Sequence, residues 1–361
     1  MINIFIVFGT RPEFIKLVEI IKALNKNPKI QIFIISSNQQ RGLLKKYIKA
    51  NLVNYELGLE KFRDDSNFIS KFLIKFEAIC KKKIINYLFI QGDTNTAYAA
   101  SLYGFLKKIP IIHLEAGLRT YDLYNPYPEE FIRQSISKIA KIHLSQNKTS
   151  AKNLKMEGIT KNIHIVGNPG IDHLLKNIKK IKLNKNKLIK NRILITMHRR
   201  ESLDKNLELF VKNLKKFLHN NSKFSVVWPL HSNPNILKKI KISFKAFNTN
   251  KILFTEPQKY SSFLKLLLKS EFVITDSGGV QEEAAYLGKK LLIARDKTER
   301  VDIVNLKLGF IIKADGSKLE KNINFLKKQK ISSSLTKKWR QNQGLGMSSK
   351  KVKNVLEKIL T

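Results

Sequence analysis

The chain is organised by short, uninterrupted apolar runs that alternate with stretches of helical periodicity. In the first half the runs fall at residues 4–8, 30–36, 87–90, 109–114 and 164–166, with apolar side chains at helical spacing over 14–24 and 97–106. A strand that is apolar at every position has both faces covered, and the intervening helices supply the cover. The pattern therefore predicts a parallel α/β sheet. The alternation pauses at 174–191, a Lys-, Asn-, Ile- and Leu-rich segment without turn signals. That segment reads as a solvated helix and linker and puts a domain boundary at 168–190. The pattern then restarts, with strands at 192–196, 224–228, 252–254, 272–275 and 291–294 and helices at 207–217, 260–268 and 280–287. Two similar α/β halves are expected, because one hydrophobic core stops growing at about 250–300 residues.

Charge excludes less than it first suggests. The 361 residues include 68 Lys+Arg against 28 Asp+Glu, a formal charge of +40. A hydrophobic fraction of 43% builds a core, so this is no disordered basic tail. Of the basic residues 57 are Lys and eleven are Arg, and Lys, Ile and Asn all have AT-rich codons. The Lys are scattered, as at Lys81-Lys82-Lys83, Lys107-Lys108, Lys238-Lys239 and Lys327-Lys328. They form no single arm and no aromatic-interleaved stripe, which argues against nucleic acid. One cysteine, Cys80, excludes an intramolecular disulfide and a Cys-rich zinc site. No run approaches the ~18–20 apolar residues of a membrane span. The first eight residues lack a basic n-region and a cleavage site, and read as a strand entering a turn. A cytosolic protein with no stable membrane insertion is expected.

The unusual segments all follow apolar runs, and ligands of open parallel sheets sit beyond the carboxyl ends of the strands. One cleft between two domains is therefore expected. Asp276-Ser277-Gly278-Gly279 opens a helix containing Glu282 and Glu283. It reads either as a diphosphate cradle or as an ordinary Ser or Asp cap. Glu283 suits ribose hydroxyls or the helix dipole. In Gly9-Thr10-Arg11-Pro12-Glu13, Thr10, Pro12 and Glu13 have helix-start roles, whereas Arg11 is not demanded by them. Arg11 is placed to take phosphate bidentately, with Lys16 adding a second charge. Asp93 ends a strand and is either a cap or an acid/base group. Glu115, between apolar and small residues, should be partly desolvated and suited to proton transfer. Tyr127-Pro128-Glu129-Glu130 with Arg133 reads as a Pro-started helix or as part of a site, and His198, flanked by Arg199 and Arg200, is no core histidine. Neither a Gly-x-Gly-x-x-Gly fingerprint nor a Walker sequence is present, and no His/Cys cluster suggests a metal. These residues point to acid/base work on an anionic, sugar- or nucleotide-like ligand without metal or cofactor.

In order along the chain, Gly9 to Glu13 with Lys16, Gly92-Asp93-Thr94, His113 to Thr120, Pro128-Glu129-Glu130 with Arg133 and Gly167-Asn168-Pro169 form one set with those that follow. These are His198-Arg199-Arg200-Glu201, His231 with Asn233-Pro234, Asp276 to Glu283 and Thr298-Glu299-Arg300. The set resembles the non-hydrolysing UDP-N-acetylglucosamine 2-epimerases over nearly the whole chain. The resemblance implies two Rossmann-like domains of glycosyltransferase-B type, at 1–168 and 169–340, with a C-terminal helix at 341–361 packing back on the first. It implies interconversion of UDP-GlcNAc and UDP-ManNAc by elimination of UDP to a 2-acetamidoglucal and re-addition, for surface-polysaccharide precursors. Asp93, Glu115, Glu129 and His198 take the catalytic roles by resemblance. Arg11, Lys16, Arg133, His231, Ser277, Gly278, Gly279 and Glu283 take the substrate-binding ones. A UDP-sugar is the implied partner, nucleic acid is not, and a homodimer is expected. Gln40 stands where many members carry His in a loop implicated in binding a second UDP-GlcNAc, Ile132 replaces an Asn, and Val301-Asp302 replaces Pro-Glu. These departures admit a related substrate such as a UDP-diacetamido-uronate. A transferase of the same fold, a hydrolysing epimerase and a basic nucleic-acid or membrane-surface protein are the other readings. Arg11, Arg119, Arg133, Arg199, Arg200 and Arg300 lie in or beside the motifs, whereas Arg63 and Arg340 do not. That distribution predicts a small Arg subset lining the UDP-sugar cleft.

Overall fold

The computed structural model describes residues 1–40, 52–62, 64–181, 188–197, 206–230, 234–244, 247 and 249–360, with the side chains of 234–236, 241 and 249 left aside. The chain divides into unit 1, Met1–His173 with Asn342–Thr361, and unit 2, Leu174–Gln341. Unit 1 runs β1 (Ile2–Phe8), α1 (Arg11–Leu24), β2 (Ile30–Ser36), β3 (Tyr55–Glu56), α2 (Asp65–Cys80), β4 (Tyr87–Gln91), α3 (Asn95–Leu106), β5 (Ile111–Leu114), α4 (Glu129–Ile139), β6 (Ile142–Ser145), α5 (Lys148–Met156) and β7 (Ile163–Ile165). Helix α6 (Pro169–Lys180) carries the chain into unit 2. There follow β8 (Ile189–Thr196), α7 (Leu207–Asn220), β9 (Ser225–Pro229), α8 (Pro234–Phe244), β10 (Ile252–Thr255), α9 (Tyr260–Lys269), β11 (Ser270–Thr275), α10 (Gly278–Tyr286), β12 (Lys290–Ala294), α11 (Val301–Asn305), β13 (Gly309–Ile312), α12 (Leu319–Lys328) and α13 (Ser333–Asn342). Helix α14 (Ser348–Leu360) returns to unit 1.

The strand orders are β3-β2-β1-β4-β5-β6-β7 and β10-β9-β8-β11-β12-β13, and the strand pairings are parallel. In each sheet the first strand is central and the order reverses beside it. The topological switch points therefore lie between β1 and β4 and between β8 and β11. Strand β1 shows why the runs are apolar throughout. Ile4, Ile6 and Phe8 pack with Phe14 and Leu17 of α1 and Val352 and Leu356 of α14, while Phe5 and Val7 pack with Phe72 and Phe76 of α2. Successive side chains point to opposite faces, and both faces are covered. The second sheet has its own core, built on Ile193, Phe272, Leu292 and Trp228.

Helix α1 starts where Glu13 reaches back to the Thr10 N–H at 2.7 Å, with Pro12 in the first turn. The tertiary amide of Pro loses no intrahelical bond there. Helix α2 is outside the sequence expectation, although Phe68, Phe72, Phe76 and Cys80 recur every fourth residue and are all buried. Strands β6 and β13 are likewise unexpected, since four residues each give too short an apolar run. The expected helix is present over 174–180 in α6, and the units divide between His173 and Leu174, within 168–190. The reading is corrected at its end, where 189–191 already belong to β8, paired with β11 from Ile189↔Ser270. Lys190 is exposed and Asn191 half-buried on the strand, and the Asn191 N–H donates to Glu271 at 2.9 Å.

Candidate active site

The first switch point gathers three motif segments. Gly9 leaves β1 so close to its neighbours that a Cβ would come 2.2 Å from both Ser37 Oγ and Thr96 Oγ1. Glu13, 1% exposed, accepts at Oε2 from the Gly9 N–H at 3.0 Å and from the Thr10 N–H and hydroxyl at 2.7 Å each. Its Oε1 accepts from Thr94 Oγ1 at 2.8 Å, so one carboxylate ties the β1–α1 turn to the β4–α3 turn. Burial pushes Glu13 up to about 7, against the lowering supplied by Thr10, Gly9 and Thr94. Read from the sequence, Glu13 has only a helix-start role, and its partner 81 residues away is what that reading misses.

Thr94, not Asp93, caps α3, accepting from the Ala97 N–H at 3.1 Å. The Asp93 carboxylate instead meets Arg133 of α4, at 2.7 Å from Nε and 2.5 Å from Nη2. Arg133 Nη1 also donates to Glu130 at 3.0 Å, and fully buried Glu130 accepts from the Thr120 and Tyr121 N–H groups at 3.0 and 3.1 Å. Glu129 opens α4, partly exposed, next to this anchor.

Glu115 follows β5 with φ of 72°, a left-handed conformation that costs about 1–2 kcal/mol for a residue with Cβ. It is buried at 6% exposure and accepts from the Lys16 ammonium and the Gln91 amide. The expected desolvation is thus met by a cation, and Lys16 is engaged with a carboxylate. Two residues on, Gly117 runs against α5, and Asn153 donates to its carbonyl at 3.0 Å.

Arg119 differs from its expected role. Arg119 is fully buried and grips Glu157 through Nε at 2.6 Å and Nη2 at 2.8 Å, with Ser137 at 2.8 Å. It braces the β5 loop against α5 and does not line a cleft. Arg119→Met would strand a largely buried carboxylate and should lower unit 1 stability by about 3 kcal/mol, read as a lower urea midpoint at unchanged slope. Arg133 and Arg300 are also held by carboxylates.

In unit 2 the threonines at the ends of β8 and β11 are joined across the switch point, Thr196 Oγ1 donating to Thr275 Oγ1 at 2.6 Å. Asp276 is fully buried, Ser277 caps α10 without a side-chain cap bond, and the helix begins at Gly278. A Cβ on Gly278 would come 2.9 Å from Cζ of Arg300, whereas beside Gly279 nothing lies within 4 Å. Arg300 is oriented over this helix start by Glu282, 3.0 Å from Nε, and by Glu299. Arg300 was expected among the arginines of the cleft, but its contact with the Gly278 helix start was not read. Its spacing of 22 residues from Gly278 hides a contact that only the fold makes. Glu283 accepts from the Tyr260 hydroxyl at 2.5 Å. His198 and His231 lie outside the described residues. Among the described residues no group of three or more His, Cys, Asp or Glu could hold a metal, and no helix is long and apolar enough to cross a membrane.

A glycine-opened helix start carrying an arginine in one unit, and buried carboxylates at the strand ends of the other, define a two-sheet α/β protein of glycosyltransferase-B type. The chain belongs to the UDP-N-acetylglucosamine 2-epimerase family, whose profile matches residues 22–357. It is 36% identical over 324 residues to the UDP-N-acetylglucosamine 2-epimerase of Campylobacter jejuni, covering 84% of this chain and 83% of that protein. The crystal structure of the Neisseria meningitidis UDP-GlcNAc 2-epimerase bound to UDP-GlcNAc superposes with a TM-score of 0.89 at 30% identity, covering 99% of this chain and 100% of that one. The Methanocaldococcus jannaschii enzyme in complex with UDP-GlcNAc and UDP gives 0.87 at 30% identity, with 99% and 100% covered. The glycotransferase of kitacinnamycin, at 8% identity and a TM-score of 0.62, shares the fold alone. The expected fold class and family are borne out. The profile match begins after the β1–α1 turn and does not cover Arg11 or Lys16.

Proposed function

We propose that the protein interconverts UDP-GlcNAc and UDP-ManNAc, supplying a surface-polysaccharide precursor from the cytoplasm as a homodimer. Family membership carries the reading, with carboxylates beyond three adjacent strand ends of unit 1, Glu13 and Glu115 buried and Asp93 half-buried. Inversion at C2 breaks a C2–H bond and must return the proton to the opposite face. A base takes the C2 proton, its electron pair forms the C1–C2 double bond, and the C1–O bond breaks as UDP leaves with its electrons. Re-addition of UDP, with a proton delivered to C2 from the other side, completes the exchange. Two proton-handling groups on opposite faces are needed, and none of the steps transfers a hydride.

Asp93, Glu115, Glu129 and His198 are assigned to that proton traffic. The leaving diphosphate needs fixed positive charge and N–H donors. Ser277, Gly278 and Gly279 supply the first-turn N–H groups of α10, with open space beside Gly279 and Arg300 alongside. Glu283, held by the Tyr260 hydroxyl at 2.5 Å, is assigned to the ribose hydroxyls. Arg11, Lys16, Arg133 and His231 complete the binding set. Lys16 and Arg133 already neutralise Glu115 and Asp93, so they serve the carboxylates as much as the phosphates.

Incubation with UDP-GlcNAc alone, followed by proton NMR, should give a mixture of two UDP-sugars at constant total UDP-sugar. Free UDP with free ManNAc would indicate hydrolysis, and donor loss only with an added acceptor would indicate a transferase. Failure to form a second UDP-sugar from UDP-GlcNAc, with conversion of a diacetamido-uronate instead, would move the substrate to the related class. Light scattering should return twice the 41.7 kDa chain mass.

A further inference from the structure

Three consecutive residues at the end of β4 are each held by a side chain from a different element. Thr94 is held by Glu13 of α1, at 2.8 Å, and Asp93 by Arg133 of α4, at 2.7 Å. Gly92 is held by His113 of β5, whose Nε2 lies 2.8 Å from the Gly92 carbonyl oxygen. We infer that His113 is a positioning residue for the epimerisation, fixing the Asp93 carboxylate through the Gly92 peptide. The inference rests on the acid/base role proposed for Asp93.

The chemistry of the contact defines the state of His113. The side chain is 0% exposed, and burial pushes its imidazole down to about 3, so it is neutral across the working range. A neutral ring has one N–H. Placed on Nδ1, it would leave a buried donor unpaired and set the Nε2 lone pair against the lone pairs of the Gly92 oxygen. Placed on Nε2, it donates to that oxygen and leaves only an acceptor, Nδ1, without a bond. The Nε2–H form is therefore the one present.

Gly92 has φ of 71°, with nothing within 4 Å of its would-be Cβ, so glycine is required here by the backbone and not by space. A permissive residue needs outside restraint. The Gly92 N–H donates to the Leu114 carbonyl at 2.9 Å, and the Gly92 C=O accepts from His113. Both bonds run to β5, and together they set the peptide plane from which Asp93 projects. Without His113 the buried Gly92 oxygen loses that donor, and the peptide plane keeps only the Gly92 N–H bond of its two bonds to β5.

The test compares three variants. In His113→Gln the amide Nε2 reaches the position of the imidazole Nε2, in His113→Asn the amide is too short to reach the Gly92 oxygen, and His113→Leu has no donor. With rates normalised to sites counted by UDP titration, His113→Gln should keep at least about a third of kcat, while His113→Asn and His113→Leu should lose about 100-fold. KM and UDP affinity should stay within about threefold in all three, because nothing near the nucleotide changes. A merely structural histidine predicts lowered melting temperature with unchanged kcat per site. Wild-type kcat in His113→Leu, or His113→Gln no better than His113→Asn, would overturn the inference. Should His113→Leu fail to fold, the Gln and Asn pair decides. Asp93→Asn is run beside them. If it turns over at the wild-type rate, the acid/base reading falls and the inference with it. If it is inactive while His113→Leu is normal, the inference alone falls.

Discussion

Asp93→Asn and Glu115→Gln should each lower turnover by about 10²–10⁴-fold, the range over which a positioned proton-transfer group contributes. UDP affinity should stay within about threefold, since neither carboxylate is assigned to the nucleotide. Both replacements keep side-chain volume and remove only the charge and one acceptor oxygen. The contexts differ. Asp93 faces the Arg133 guanidinium, itself shared with Glu130. Glu115 is buried against the Lys16 ammonium and the Gln91 amide in a left-handed backbone conformation. Glu115→Gln removes a carboxylate charge that is 6% exposed beside a buried ammonium, whereas Asp93 is half-buried, so its melting temperature should fall more than that of Asp93→Asn. Wild-type rates in both variants would remove the assigned site.

Gly117→Ala should be the most destabilising single methyl addition in the β5 loop. Its φ is 88°, and an added Cβ would lie 2.2 Å from the Ser150 carbonyl oxygen and 2.8 Å from the Ser150 carbonyl carbon. Both obstacles are backbone of α5, which no rotamer change can move. Strain and clash together should cost about 4 kcal/mol, most of the margin of an ordinary domain. Gly158→Ala is the control, with φ of 82° and nothing within 4 Å. It bears the backbone strain alone, about 1–2 kcal/mol. Equal urea midpoints for the two alanine variants would contradict the close approach of the loop to α5. The same contact sets Glu115, two residues upstream, so surviving folded Gly117→Ala should also turn over slowly.

What was legible in the sequence follows from how local each signal is. Strand β2 was read at 30–36, as observed, because the run is apolar apart from Gln31 and Ser36. Helices α7, α9 and α10 were found within a few residues from their helical spacing. Strand β6 escaped because a four-residue run containing His143 has no periodicity to measure. The strand-end segments could be listed from the sequence, since Gly, Asp and Glu after an apolar run are local facts. Their connections could not. Arg119 was expected in the cleft, yet its Nε and Nη2 both donate to Glu157, 38 residues on. Asp93 looked like a helix cap, yet Thr94 caps and Asp93 pairs with Arg133, 40 residues away. Charge alone cannot say whether an arginine meets a ligand or a carboxylate. That depends on which loops the parallel sheet brings side by side.

The central claim is that C2 loses and regains its proton. The direct measurement is proton NMR of UDP-GlcNAc incubated with the wild-type protein in D2O. UDP-ManNAc should appear with deuterium at C2 and, as the reaction runs back, deuterium should enter C2 of UDP-GlcNAc as well. UDP-ManNAc that keeps its C2 proton, or no UDP-ManNAc with every C2 proton retained, would contradict it.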